Sequence, residues 1–176
     1  MKQQYKLDPA HSSAQFTVRH MMITNVHGHF SGIEGTVTYD PDNPGETTLD
    51  VVIPASTVNT LEPARDTHLK SADFLDVEKF PSITFKSGKV TPAGDGELRI
   101  AGDLTIRGVT KEVVLNVEGP TAEGKDPWGN VRMGASASTK IKRSEFGLTW
   151  NASLETGGIL VGDDLKIGLD VSLIRA

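Results

Sequence analysis

The sequence predicts an all-β protein, an eight-stranded antiparallel barrel with one short helical segment near residues 62–72. Three observations predict it. Apolar residues alternate at a period of two through most of the chain, which is the spacing of one strand face. Eighteen glycines and nine prolines fall at short intervals, as turns between many strands require. Finally, only the stretch Glu62–Phe85 reads as a helix followed by an ordered corner. A sheet with one apolar face must pack on a partner or close on itself, and one short helix is too little cover. Closure is the expected solution.

The first strands are Tyr5–Leu7 and Ala14–His20, with Phe16, Val18 and His20 on one face of the second. A kink of about one helical turn follows at Met21–Asn25. The run Val26–Asp40 changes parity midway, from Val26 and Phe30 to Ile33, Val37 and Tyr39, which predicts a bulge at its glycines. Asp40–Gly45 has turn residues, and Thr47–Ala55 is a strand with Leu49, Val51 and Ile53 on one face. In the helical segment Thr60 is the expected N-cap, Pro63 sits in the first turn, and Asp66 and Lys70 are spaced i, i+4. Leu61, Ala64, Leu69 or Ala72, and Leu75 would form an apolar stripe that lies on the sheet.

Phe80-Pro81 marks a corner before a strand through Ile83 and Phe85, and Thr91–Gly96 turns the chain back. The alternation is clearest in Glu97–Arg107, where Leu98, Ile100, Leu104 and Ile106 oppose Glu97, Arg99, Asp103 and Arg107. A turn at Gly108–Lys111 leads to Val113, Leu115 and Val117. The loop Gly119–Gly129 carries Trp128, and Val131, Met133, Ala135 and Ala137 then share a face. The last strand, about Asp164–Ile174, shows Leu165, Ile167, Leu169, Val171 and Leu173 on one side.

At 176 residues, with no linker, the chain is expected to form one domain over 1–176. A net charge of -5 and scattered basic residues argue against nucleic acid as a partner. There is no cysteine, which excludes thiolate chemistry and fits a reducing compartment. Because the N-terminus has no apolar run of signal-peptide length, a cytoplasmic location is expected. The apolar runs are too short for a membrane-spanning helix, and a membrane barrel would turn its apolar face outward. Here the reverse is expected: apolar inside, charged outside.

Whether the inside is full or hollow decides function. Small residues at Ala135 and Ala137, aromatics near strand ends, and the adaptable Met21, Met22 and Met133 favour a cavity over a filled core. Such a cavity suits a long hydrocarbon, since each buried CH₂ contributes about 0.8 kcal/mol. Candidate polar chemistry is thin. His11, His20, His27, His29 and His68 lack a carboxylate or cysteine at metal-ligand spacing, so no metal site is expected. Arg65, Asp66, His68 and Asp73, with Ser71, read as a polar network that anchors the helix. The alternative is an enzyme acting on a lipid-like substrate through Asp66 and His68.

Several segments resemble a known family in order and spacing. These are Asp8-Pro9-Ala10-His11-Ser12, Phe16–His20, Val26–Phe30, Arg65–Phe74, Phe80–Phe85, Gly102–Lys111 and Arg143–Gly147. Together they are similar to the signature of the YceI-like family, with Tyr5 and Glu145 where tryptophan and aspartate are common. The resemblance implies a lipocalin-like, extended barrel that binds a polyisoprenoid or similar amphiphile, such as an isoprenoid quinone, in an elongated pore. It implies no enzymatic activity and no cofactor beyond the bound lipid. The residues expected to line the pore are Phe16, Val18, Phe30, Phe85, Leu104, Leu115, Trp128, Met133, Ala135, Phe146 and Trp150. Ile83, Ile106 and Leu169 share their parity, and His20, with His68 or Arg65, is expected to meet a polar head group. The general frequency of two-fold assemblies admits a homodimer.

Overall fold

A computed structural model describes residues 1–176. In chain order the strands are β1 (Gln3–Leu7), β2 (Ser13–His20), β3 (Thr24–Phe30), β4 (Glu34–Tyr39) and β5 (Thr48–Pro54). After the helix α1 (Pro63–Lys70) come β6 (Ser82–Gly94), β7 (Glu97–Ile106), β8 (Val109–Glu118), β9 (Gly124–Lys125), β10 (Val131–Lys142) and β11 (Val161–Arg175). All pairings are antiparallel. The ring β11-β1-β4-β5-β6-β7-β8-β10 returns to β11, so eight strands close the barrel.

The long final strand explains the elongated shape. One edge of β11 pairs with β10 from Asp164 to Ile174. Its other edge is shared: β2 takes it as far as Asp170↔Ser13, and β1 resumes at Leu173↔Leu7. Thus β1 and β2 are two lengths of one barrel strand, separated by a single 3-10 turn at Pro9–His11. Their neighbours β4 and β3 repeat the arrangement.

That break corrects the expected bulge in Val26–Asp40. The chain leaves the sheet between Phe30 and Glu34, passing Gly32 at φ +66°, because the strand beside it is itself broken at that level. The parity change was real; its cause is an interruption that moves the chain from β2 to β1, and Ile33 is fully buried at the step. Similarly, the expected helical kink at Met21 is a tight hairpin turn. Met21 and Met22 both adopt left-handed backbone, at φ 51° and 62°, and the Ile23 N–H donates to His20 O at 3.1 Å.

The helix also differs. Its N-cap is Glu62, whose side chain accepts from the Ala64 N–H, and no residue of α1 is fully buried. The apolar stripe forms in part: Leu61 precedes the helix and is 87 % exposed, whereas Leu69 and Leu75 face the barrel interior. Polar contacts also hold α1. Asp66 accepts from both the N–H (2.8 Å) and the hydroxyl of the buried Thr60, so the expected cap residue is itself held by the helix. Arg65 donates to Thr60 Oγ1 and Thr60 O, both at 2.8 Å.

Candidate functional site

Inward-facing residues of the eight barrel strands enclose a cavity of about 230 Å³, and 33 of its 39 lining residues are hydrophobic. That volume is below the usual range for compact ligand sites, yet the cavity is drawn out along the barrel. Leu165, Ile167, Leu169, Val171 and Leu173 all line it, which at strand rise covers about 26 Å of β11. The space is therefore slender. It accepts a chain more readily than a bulky ring system.

Glycines give its walls room. Gly28 lies opposite Phe16 across the β2–β3 pair, and a Cβ there would fall 2.2 Å from the Phe16 ring. At Gly102 a Cβ would fall 2.5 Å from the ring of Phe85. Both rings lie over bare backbone and so leave the axis open. Phe16 and Phe30 meet at 5.7 Å between ring centroids, making one aromatic strip on the wall.

The two ends are built differently. At the lower end Pro120 contributes to the wall, and polar clasps hold the segment 119–130. Glu123 accepts from Tyr5 Oη and pairs with Arg175. Arg132 bridges Asp126 at 2.6 Å and Asp8 at 2.7 Å. The Arg132 guanidinium and then the His11 ring hold the Asp8 carboxyl down at about 2, and Arg132 likewise depresses Asp126. At the upper end the wall residues Phe16, Val18, Phe30, Val161 and Leu165 are half-buried, as are Tyr39, Leu49, Pro120 and Val171 towards the lower end.

Phe74, Leu69, Leu148 and Arg143 complete the upper rim. The His68 ring meets Phe74 and Trp150 edge-on, at 5.0 and 4.7 Å, tying the segment after α1 to the segment after β10. Arg143 is only 5 % exposed. It donates to Gly162 O (2.7 Å), Leu148 O (2.6 Å), Trp150 O (3.0 Å) and Val161 O (3.1 Å). Burial pulls its guanidinium below the ordinary arginine value. The role visible for it is to gather four carbonyls of the rim.

Of the residues read from sequence, Phe16, Val18, Phe30, Phe85, Leu104, Leu115, Met133 and Ala135 stand on the wall, as do Ile83, Ile106 and Leu169. Three aromatics do not. Trp128 is 81 % exposed on the 119–130 segment, because its N–H and that of Asn130 both bind Asp126 and turn the loop outward. Phe146 is fully buried in the core cluster but off the cavity wall, on the 3-10 turn Arg143–Phe146. Trp150 packs on the rim. His20 ends β2 and is absent from the wall. Asp66 and His68 do not form a pair: Asp66 is bound to Thr60, and His68 Nε2 lies 2.8 Å from Asp73 Oδ2. Ser71 Oγ donates to the His68 carbonyl at 2.6 Å. Phe74, one of the aromatics near corners, is on the wall, whereas sequence reasoning missed Arg143, Val58 and Pro120, since each reaches it from a turn with no periodicity to read.

The histidines are dispersed, His11 on Asp8, His27 on Thr17 and His68 on Asp73, and no cluster of three or more metal-ligating side chains occurs. No helix is long and apolar enough to cross a membrane.

The YceI-like domain model matches residues 5–173. The chain is 41% identical over 148 residues to Protein YceI of Salmonella newport, covering 83% of this chain and 76% of the relative. Among solved structures it superposes on Burkholderia cenocepacia BcnA with TM-score 0.82 at 22% identity, over 94% and 98% of the two chains. A polyisoprenoid binding domain from Saccharophagus degradans, implicated in plant cell wall breakdown, superposes with TM-score 0.70 at 15% identity over 98% of each chain.

Proposed function

The chain belongs to the YceI-like family, and from that premise we propose that it is a non-enzymatic binding protein for a long apolar chain. The ligand is a polyisoprenoid or related amphiphile, such as a polyprenyl or isoprenoid quinone species, held for transport, storage or solubilisation. One observation carries this reading: the cavity is continuous, slender and almost wholly hydrophobic along the barrel. Apolar burial at about 0.8 kcal/mol per CH₂ accumulates along such a pore, so several isoprene units bind firmly after ordering costs. The neighbouring polyisoprenoid binding domain from Saccharophagus degradans shares the fold and is consistent with that class of ligand.

The polar rim sets orientation. A head group would stay at the upper end, where His68, Asp73 and the carbonyl-bound Arg143 stand, while the tail runs towards Pro120. A cytoplasmic setting and a homodimer belong to the same proposal.

Organic extraction of the purified protein, followed by mass spectrometry, tests it. A stoichiometric polyprenyl or quinone species is the expected result. An empty extract from protein that also refuses added isoprenoids would overturn the reading and leave the fold intact.

A further inference from the structure

The β2–β3 hairpin ends in three exposed apolar residues, Met21, Met22 and Ile23, at 43 %, 57 % and 69 % exposure. Met21 and Met22 occupy the two central positions of the turn in left-handed backbone, which normally calls for Asn-Gly. Residues with a Cβ are disfavoured there, so the turn keeps large apolar side chains at a conformational cost. The adjoining segment adds Ile159, 41 % exposed, and is built around the tip: the Met21 N–H donates to Leu160 O at 2.7 Å. Gly158 has no Cβ, which leaves room for the Met22 sulfur.

The patch is continuous with the cavity. His20 pairs with Val161, and Val161 and Val18 are both wall residues at the upper end. Charge does not oppose contact with an uncharged bilayer: no carboxylate occurs between Asp8 and Glu34, and the nearby charges in sequence are Arg19 in the hairpin and Glu155 and Asp163 in the adjoining segment. A few side chains at a hairpin tip are too small for a stable protein interface, which needs about 800 Å² per partner. They suit shallow insertion among lipid head groups, where burial of the apolar side chains supplies the attraction.

We propose that the Met21–Ile23 tip docks the barrel onto a lipid bilayer, placing the upper end of the cavity against the membrane so that the apolar ligand enters and leaves there. This rests on the lipid-binding reading and adds the route of loading.

The test uses the full chain with Met21→Asn/Met22→Gly, which installs the residues the turn geometry prefers and so is expected to melt no lower than the parent. Ile23→Asp, at the most exposed position of the tip, is the second variant. Flotation with phosphatidylcholine vesicles, with and without phosphatidylglycerol, measures docking. A pyrene-labelled polyprenol is supplied either in those vesicles or from ethanol. The parent is expected to float with vesicles of either composition, and both variants to lose at least about tenfold in binding and in transfer rate from vesicles. Uptake from ethanol should be unchanged. Variants that float and load from vesicles like the parent would overturn the docking proposal alone. So would a parent that ignores vesicles but self-associates through the tip, read as a doubled mass by light scattering that the variants lose. Failure of all three proteins to take up the polyprenol from either source would overturn the binding reading instead.

Discussion

Gly28 and Gly102 are absences that shape the pore, because Phe16 and Phe85 lie where a Cβ would stand. Gly28→Ala is expected to push the Phe16 ring into the cavity and to destabilise by about 1–3 kcal/mol, the range for overpacking. Gly124→Ala, where nothing stands within 4 Å, is the matched control and should change little. Denaturant midpoints with unchanged m-values will separate them. Asp66 supplies a second test at this scale. Asp66→Ala leaves the buried Thr60 N–H and hydroxyl without their acceptor, at an expected cost of about 1–3 kcal/mol, with ligand uptake retained. Turnover lost at unchanged stability would instead revive an enzymatic role. The polar grouping around α1 was legible from Arg65, Asp66, His68 and Asp73, but their pairing was not. Polar residues close in sequence look like partners, yet positions two apart on a helix point to different sides: Asp66 reaches back to Thr60 and His68 forward to Asp73.

The 119–130 segment shows what an element without periodicity can hide. Its alternation is absent, so the sequence reads as a loop that carries a candidate pore tryptophan. The structure makes it a clasp built on Asp126, which accepts from Trp128, Asn130 and Arg132. A charged clasp should titrate. Asp8 is depressed to about 2 in the fold, chiefly by Arg132, against an ordinary value of 3.8. A depressed carboxylate contributes stability that is present above the unfolded value and is lost as pH falls through the folded one. The protein should therefore lose melting temperature between roughly pH 4 and pH 2. Arg132→Met, which removes the cause, should melt lower at pH 7 and show a flatter slope across that window. An unchanged slope would remove Arg132 as the source. At the opposite end, Arg143→Met strips the hydrogen bonds from four rim carbonyls and is expected to cost at least about 2 kcal/mol.

For the whole molecule the deciding property is that the barrel is hollow. Ala135 stands on the wall of β10, and Ala135→Phe adds a ring into the pore. In a filled core the extra volume would strain the packing. In this barrel the expected outcome is nearly unchanged stability with loss of polyprenol binding, read by melting with and without ligand. Destabilisation without any change in binding would mean that the pore is not the site.

The sequence by itself determined the all-β class, the closure into a barrel and the inner face of nearly every strand. A period of two is a local property of the chain, and Leu98 to Ile106 or Leu165 to Leu173 announce their side wherever they end up. Tertiary structure alone decided which aromatics reach the pore, where the strands break and how the clasps pair. Trp128, Phe146 and Trp150 all sit in or beside turns, where side-chain direction depends on contacts such as Asp126 with Asn130 or His68 with Trp150. A hollow interior is likewise a property of the closed ring. It arises where eight inward faces meet across the axis, with Gly28 opposite Phe16 on adjoining strands, and no single strand carries that distance in its own residues.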